Sequence, residues 1–199
     1  MLKPNRRQQI LEAYALMLET HPGNRITTAA LAKQLDVSEA ALYRHFPSKA
    51  KMLDGLIEFI ESSIFSRISR ILSEHVEAEV RCDRVLWLLL SFAEKNPGFA
   101  RLLVGDVLQG ETERLRVRMR QFYDRLETQL RQILREGKAR AELDALAEPR
   151  VIANLLLATA EGRISQYVRS EFRTVPTLDW DQQWQLLKSA LFRRESGGF

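Results

Sequence analysis

The chain has 199 residues, of which 45% are hydrophobic and 28% are charged, with a formal net charge of +4. A chain of this length buries a large core without cross-links, and its longest purely apolar run, residues 85–90, is too short to span a bilayer. Cys82 is the only cysteine, which excludes an intrachain disulfide and a four-thiol metal site and favours a reducing cytoplasm.

Positive charge is concentrated in the first quarter of the chain. Residues 1–55 contain eight Lys or Arg against five Asp or Glu, whereas the two signs nearly balance in the remainder. This bias predicts a polyanion-binding module attached to a neutral body. Solvated surface charge is the alternative explanation.

Helical periodicity and helix breakers predict an all-α fold of about nine helices. The first helix is predicted over residues 5–20 and ends at "HPGN", residues 21–24. Thr27 or Thr28 is expected to cap a short second helix, and Ser38 a short third helix.

A long fourth helix is predicted after the third. Pro47 disfavours helical geometry at Phe46, and Ser48 caps the new helix, which reaches about Val76. A last helix follows residues 175–179. Other breaks are predicted at residues 96–98, Gly110, residues 136–140 and Pro149.

The two short helices and the "LDVS" that joins them predict a helix-turn-helix. Asp36 is expected to adopt the left-handed conformation that this turn requires. The third helix would lie in the DNA major groove, where the methyl groups of Ala40 and Ala41 can approach thymine methyl groups. The small core of this unit is predicted to contain Leu31, Leu35, Val37 and Leu42.

Basic and aromatic side chains follow the groove-facing alanines and are expected to reach the flanking phosphates. Lys49 lies in the first turn of a helix, where acidic residues are preferred, which indicates a functional demand. The alternative is that Tyr43 and Phe46 pack inside the small domain, and for Phe46 we expect packing. The predicted DNA-contacting residues are Thr27, Thr28, Ser38, Ala40, Ala41, Tyr43, Arg44, His45 and Lys49.

The segment "ITTAALAKQLDVSEAALYRHFPSKAKML" resembles the N-terminal domain of tetracycline-repressor-type regulators, with their "LYxHFxxK" signature. Asp36 replaces the usual turn glycine, and Ala40 and Ala41 replace common Gly and Thr. The blocks "LIEFIE", "NPG", "LRQILRE" and "YVRSEFR" further resemble the nucleoid occlusion factors, a branch of this family. We expect a DNA-binding domain over residues 1–47 and a helical regulatory, partner-binding and dimerisation domain over residues 48–199.

The resemblance implies a homodimer that binds palindromic double-stranded DNA, with one or several dimers on each site. When bound to DNA, such proteins antagonise polymers of the division protein FtsZ and engage its C-terminal tail in a groove between the fourth and fifth helices. A ligand-responsive transcriptional repressor is the alternative function, because that is the commoner role in the family.

Helical spacing supports a groove between these two helices. Phe59 lies about 140° from the centre of the apolar stripe of the fourth helix, while "VLWLLLSF" predicts a fifth helix that is apolar on every side and central. The alternative is that Phe59 packs under the first helix. The predicted groove residues are Phe59, Ser63, Arg67, Leu88, Ser91 and Lys95.

The last two long helices are predicted to form the dimer interface, where Ala158 and Gly162 would permit close approach. The alternative is an ordinary intramolecular core, which some of these residues must serve. The predicted interface residues are Val151, Ile152, Leu155, Ala158, Thr159, Gly162, Trp184, Leu187 and Leu191.

Enzymatic chemistry has no positive support in the sequence. His21, His45 and His75 have no ligand-like spacing with Cys82, so no metal is predicted. The sequence has neither a glycine-rich phosphate loop after a strand nor a nucleophile elbow. The arginines of residues 113–121 are predicted to be solvated. We therefore predict a non-enzymatic, cofactor-free protein. The resemblance implies that it acts in the cytoplasm, in association with the nucleoid.

Overall fold

Nine α-helices make up the described part of the computed structural model, which covers residues 5–21, 26–143 and 148–192. The all-α prediction is confirmed for these residues, where the sole β-type contact is an isolated bridge between Leu143 and Phe192. The helices are α1 (Arg6–Thr20), α2 (Thr28–Gln34), α3 (Glu39–His45), α4 (Lys49–Glu74), α5 (Ala78–Lys95), α6 (Pro97–Val104), α7 (Glu113–Ala139), α8 (Pro149–Arg169) and α9 (Trp180–Leu191), with a short 3-10 helix at Asp106–Leu108.

Side-chain caps begin the first and fourth helices close to the predicted positions. The Asn5 side chain accepts a hydrogen bond from the Gln8 N–H at 3.0 Å, and Ser48 accepts one from the Lys51 N–H at 3.2 Å. These bonds satisfy amides that have no partner within the helix. Helix α4 ends at Glu74, two residues before its predicted end.

Helix α5 occupies the centre of the larger helical body, in contact with α4, α6, α7, α8 and α9. Its central position agrees with the prediction, but its neighbours do not cover the helix on every side. Arg84 and Trp87 face outward, and the indole of Trp87 is 39% exposed. The neighbouring helices cover only part of the α5 surface, which leaves this strip at the protein surface.

The N-terminal helices are joined to the larger body through a close crossing of α1 and α6. A Cβ atom at Gly98 would lie 2.1 Å from the carbonyl oxygen of Ala15, so only glycine permits this approach. The buried Arg101 guanidinium donates hydrogen bonds to the carbonyls of Leu18 (3.0 Å) and His21 (3.2 Å) at the end of α1. These contacts fix α1 against the body and satisfy carbonyls that the helix leaves unpaired.

None of the described helices is both long and apolar enough to cross a membrane. Within the same ranges, no group of three or more His, Cys, Asp or Glu side chains could hold a metal ion. Cys82 is buried, and burial raises the pKa of its thiol.

Candidate nucleic-acid interface and partner groove

Hydroxyl caps orient the two short helices of the predicted helix-turn-helix. Thr27 Oγ1 accepts a hydrogen bond from the Ala30 N–H at 3.1 Å and begins α2. Ser38 Oγ accepts one from the Ala41 N–H at 3.2 Å and begins α3. The capping predictions are therefore confirmed for Thr27 and Ser38, whereas Thr28 is the first residue of α2.

The turn between these helices has the predicted left-handed residue. Asp36 adopts a φ of 53°, and α2 and α3 pack against each other on either side of this turn. Leu31 and Leu42 are buried, while Leu35 and Val37 are half-buried and pack against the same core. The two helices thus form a rigid unit in the predicted geometry.

Phe46 belongs to the core of this unit, as expected. Its side chain is buried at the end of α3, and the guanidinium carbon of Arg7 lies 4.8 Å from the centre of its ring. A cation over an aromatic face is attractive. The contact therefore also links α1 to the end of α3.

Helix α3 presents its predicted DNA-contacting residues at the surface. Ala40, Arg44 and His45 are exposed, and Ala41 is half-buried. Tyr43 is 43% exposed, so the packed alternative for this side chain does not hold. Small methyl groups and basic groups thus lie together on a short, exposed helix, as a major-groove reader requires.

A hydrogen-bond relay that sequence reasoning missed connects the starts of α2 and α3. Thr28 Oγ1 donates to Glu39 Oε2 at 2.6 Å and accepts a longer bond of 3.3 Å from the Tyr43 hydroxyl. Glu39 and Tyr43 are four residues apart and share one face of α3. The sequence signal that could have revealed this contact is the position of Glu39, an acidic residue directly after the Ser38 cap.

Lys49 is placed differently from the other basic groups. Its Nζ lies 2.7 Å from Oε1 of Glu111, and both side chains are largely buried. Glu111 precedes α7, where its backbone carbonyl accepts a hydrogen bond from Arg116 at 2.6 Å. We therefore assign Lys49 to this link between α4 and the start of α7 instead of to a DNA phosphate.

The six predicted groove residues line one concavity between α4 and α5, with a volume of about 310 Å³. Sequence reasoning missed two further lining residues, Phe92 and Asn96. Phe92 lies one helical turn after Leu88, and Asn96 lies one turn further on, so the spacing along α5 was the available signal. The concavity combines an apolar wall with polar side chains.

Phe59 forms the aromatic edge of this groove and is 45% exposed. Its ring stacks on Phe99 with the centroids 5.2 Å apart, and Phe99 lies 5.9 Å from the ring of Phe92. Phe59 also borders a second cavity of about 500 Å³, beside α1, that includes Leu11 and Leu16. The ring therefore lies between two concavities and is not buried under α1.

Two cations flank the groove. Arg67 is exposed on α4, where its Nη1 makes only a long contact of 3.5 Å to the Ser63 carbonyl. Lys95 is exposed in the last turn of α5 and forms no ion pair with any residue that the structure describes. Their charges remain available to an acidic ligand.

The predicted dimer residues divide into outward-facing and inward-facing sets. Val151 and Leu155 are exposed on α8, as are Ala158 and Gly162. Leu186 of α9, which sequence reasoning did not include, is 72% exposed. On α8 the outward-facing residues form an apolar strip along one face of the helix, and Leu186 adds an exposed apolar side chain on α9.

Ile152 and Trp184 are buried within the chain itself, so we assign them to the core instead of the dimer interface. The Trp184 ring stacks on Trp180, whose indole N–H donates to Asp83 at 2.8 Å. Three further predicted interface residues are partly buried: Thr159, Leu187 and Leu191. Large apolar side chains at helical spacing fit either location, which is why periodicity could not separate them.

Two family models match successive parts of the chain. The model described as "Bacterial regulatory proteins, tetR family" matches residues 10–56. The model described as "Tetracyclin repressor-like, C-terminal domain" matches residues 76–192. Together they span the helix-turn-helix unit and most of the remaining helices.

Similar curated proteins include three nucleoid occlusion factors named SlmA. The one from Colwellia psychrerythraea is 57% identical over 186 residues, which cover 94% of both chains. That from Shewanella denitrificans is 56% identical over 191 residues and covers 96% of this chain and 97% of its own. That from Marinomonas sp. is 56% identical over 189 residues, with 95% and 96% covered.

Solved structures of similar fold are more distant in sequence. The fatty acid degradation regulator FadR from Bacillus halodurans has a TM-score of 0.79 at 17% identity, with 94% of this chain and 96% of that chain covered. The MbdR regulator from Azoarcus sp. CIB has a TM-score of 0.77 at 16% identity, with 90% and 95% covered. The helix-turn-helix geometry, the two matching family models and the nearly full-length similarity agree: the chain belongs to the tetracycline-repressor family, in the branch that contains the SlmA nucleoid occlusion factors.

Proposed function

We propose that this protein is a nucleoid occlusion factor that binds palindromic chromosomal DNA as a dimer, binds FtsZ and antagonises Z-ring assembly over the nucleoid. The observation that carries this proposal is nearly full-length similarity to SlmA proteins, at up to 57% identity, together with a DNA-reading helix and a separate peptide-sized groove. Its place of action would be the cytoplasm, on the nucleoid.

DNA recognition is assigned to α3 and its flanks. Ala40 and Ala41 would approach base edges in the major groove, while Arg44 and His45 reach the phosphates on either side. The long bond from Tyr43 to Thr28 can be exchanged for a bond to a phosphate. The hydroxyls of Thr27 and Ser38 accept from helix amides and keep their own hydrogen for a phosphate oxygen.

Partner binding is assigned to the groove between α4 and α5. Its apolar wall, formed by Phe59 and Leu88, suits the hydrophobic anchors of a short peptide. Arg67 and Lys95 suit carboxylates on the same peptide, and these charges favour the C-terminal tail of FtsZ as the occupant. Ser63 and Ser91 complete the predicted set.

Dimerisation is assigned to the exposed strip of α8 and α9. A two-fold pair of α3 helices would match half-sites about 34 Å apart, one turn of DNA. The strip of Val151, Leu155, Ala158 and Gly162 would supply the apolar contact, together with Leu186. Thr159 and the half-buried Leu187 and Leu191 would lie at its margin.

A ligand-responsive repressor is the second candidate function. The 500 Å³ cavity beside α1 has the size of a small-molecule site. A similar fold occurs in FadR from Bacillus subtilis, which was solved in complex with stearoyl-CoA, although the identity is 17%. Binding of a small molecule that releases DNA, without any affinity for FtsZ, would favour this function.

Binding of a labelled FtsZ tail peptide, measured by fluorescence anisotropy with and without palindromic DNA, tests the proposed function. We expect Arg67→Asp and Phe59→Ala to weaken peptide binding at least about tenfold, because each removes a groove contact worth about 1.4 kcal/mol or more. DNA affinity should stay unchanged, since both side chains are remote from α3. Arg70→Asp is the matched control, because Arg70 is exposed one turn further along α4 and does not line the groove.

Full peptide affinity in both groove variants would contradict the groove assignment. Equal losses in Arg67→Asp and Arg70→Asp would instead indicate a general effect of net charge. Absence of peptide binding by the wild type, with intact DNA binding, would favour the repressor function.

A further inference from the structure

Glu39 is an acidic group on the helix that is proposed to contact DNA, whose phosphates repel a carboxylate. It is the first residue of α3, directly after the Ser38 cap, and its side chain is exposed beside Ala40. The N-terminal residues of a recognition helix are the ones that contact base edges. A carboxylate at this position would face both the bases and the strongly negative phosphates.

Local contacts fix the direction of this carboxylate without neutralising it. Oε2 accepts the 2.6 Å hydrogen bond from Thr28, which itself accepts from Tyr43. Among the residues that the structure describes, Glu39 forms no ion pair, and Oε1 has no hydrogen-bond donor. Glu39 therefore presents one oriented acceptor oxygen at the start of α3, on the face that it shares with Tyr43.

The chemistry of the bases selects one partner for such an oxygen. An ionised carboxylate can only accept hydrogen bonds. In the major groove guanine presents two acceptors, thymine presents an acceptor and a methyl group, and adenine presents an acceptor beside its amino donor. Cytosine presents the 4-amino donor without an adjacent acceptor. It is therefore the base with which a carboxylate forms a favourable hydrogen bond in the major groove.

We infer that Glu39 is a specificity-determining residue that accepts a hydrogen bond from the 4-amino group of a cytosine in each half-site. Thr28 is its positioning residue, because its hydroxyl holds Oε2 and directs Oε1 outward. This inference rests on the proposed DNA-binding role of α3 and adds a base identity to it. The negative charge lowers the affinity for DNA sites that lack this cytosine. At such a site the carboxylate has no hydrogen-bond donor and is only repelled by the phosphates.

Selection from a library of random palindromic duplexes, with the full-length protein at fixed salt, provides the test. We expect the wild type to select a cytosine at one symmetric position. Replacing that cytosine by 2-pyrimidinone, which lacks the 4-amino group, should weaken wild-type binding about 5- to 150-fold, the usual range for one base contact. Glu39→Ala should bind the two duplexes equally.

Two variants keep the test interpretable. Glu39→Gln retains an acceptor and adds a donor, so its preference should move toward adenine, which amide side chains read through N6 and N7. Glu58→Ala removes an exposed acidic residue of α4 and matches the charge change, and it should keep the wild-type preference. Folding of each variant is checked by its helical circular dichroism.

An unchanged base preference at every position in both Glu39 variants would overturn the inference while leaving DNA binding by α3 intact. A library from which the wild type selects no sequence would overturn the proposed DNA-binding function itself, and the inference with it. The two failures are therefore distinguishable in one experiment.

Discussion

Lys49 and Arg44 show how one neighbour decides the role of a charged side chain. A cation in the first turn of a helix is unfavourable with the helix dipole, so the local sequence of Lys49 suggests an external phosphate. The fold supplies a carboxylate instead, because Glu111 lies 2.7 Å from Lys49 Nζ. Arg44 is exposed and has no acidic partner within the described residues, so its charge is available to DNA.

The salt dependence of DNA binding should separate these two basic residues. We expect Arg44→Gln to reduce the slope of log K against log salt by about 0.9 for each lost phosphate contact. Lys49→Gln should leave the slope unchanged, because its charge is already compensated by Glu111. It should instead lower the free energy of unfolding by about 1–3 kcal/mol, the usual cost of removing a hydrogen bond to a largely buried charged group.

Each of these variants controls for the other, because both remove one positive charge near α3. Binding titrations at several salt concentrations give the slope, and urea denaturation gives the stability. A reduced slope for Lys49→Gln would mean that Lys49 leaves Glu111 and contacts a phosphate in the complex.

Helices α4 and α7 are joined by an ion network that the sequence did not predict. Asp54 of α4 accepts hydrogen bonds from Arg118 and from Arg114 (3.2 Å), and Arg118 also bonds to Glu61 at 2.6 Å. The prediction of solvated arginines is therefore wrong for Arg118, which is half-buried between α4 and α7. Ion pairs between two helices depend on how the helices pack, so the periodicity of either helix does not predict them.

The stabilisation by Asp54 should depend on pH. Burial alone would raise the pKa of this carboxyl, but the hydrogen bonds from Arg118 and Lys51 outweigh burial and lower the pKa below its usual value. A lowered folded-state pKa gives stability that is present above the unfolded value of about 3.9 and is lost as the pH falls through the folded value. Asp54→Asn should therefore destabilise the protein by about 1–3 kcal/mol at neutral pH.

Chemical denaturation of wild type and Asp54→Asn at a series of pH values tests this expectation. The difference between the two proteins should shrink as the pH falls through the folded-state pKa of Asp54. Glu74→Gln is the control, because Glu74 pairs with Arg70 on the exposed surface of α4 and such pairs contribute little. A difference that does not change with pH would show that Asp54 acts through packing and not through its charge.

The molecule as a whole carries an apolar strip along α8, and an exposed leucine on α9, that the single chain leaves uncovered. Val151 is 56% exposed and lies on the same face of α8 as Leu155 and Gly162, and Leu186 of α9 is 72% exposed. Exposed apolar residues that form a continuous strip typically mark a protein–protein interface. A dimer through this strip would also present two α3 helices to one palindrome.

Introducing a charge on this strip should weaken dimerisation. We expect Val151→Glu to raise the dimer dissociation constant about tenfold or more, because an unpaired carboxylate at the interface costs at least about 1.4 kcal/mol. Val76→Glu is the matched control, since Val76 is 61% exposed at the turn between α4 and α5, outside the strip. Analytical ultracentrifugation gives both constants, and equal effects of the two substitutions would contradict this interface.

Local sequence was sufficient to predict the helices, the two hydroxyl caps and the turn at Asp36. These features depend on residues within a few positions of one another. The family resemblance gave the location of the groove between α4 and α5, and helical spacing gave its six predicted residues, which line one concavity. The resemblance of the first segment to tetracycline-repressor-type regulators is confirmed by the matching family model.

Tertiary packing alone decided which of several equivalent side chains face inward and which charges are already paired. Ile152 and Val151 are adjacent in sequence and similar in chemistry, yet only Ile152 is buried. Lys49 meets Glu111 across 62 positions of the chain, and Thr28 meets Glu39 only because the turn at Asp36 brings α2 and α3 together. Burial and pairing depend on residues that are distant along the chain. Helical periodicity sorts side chains onto faces but does not identify which face the rest of the fold covers.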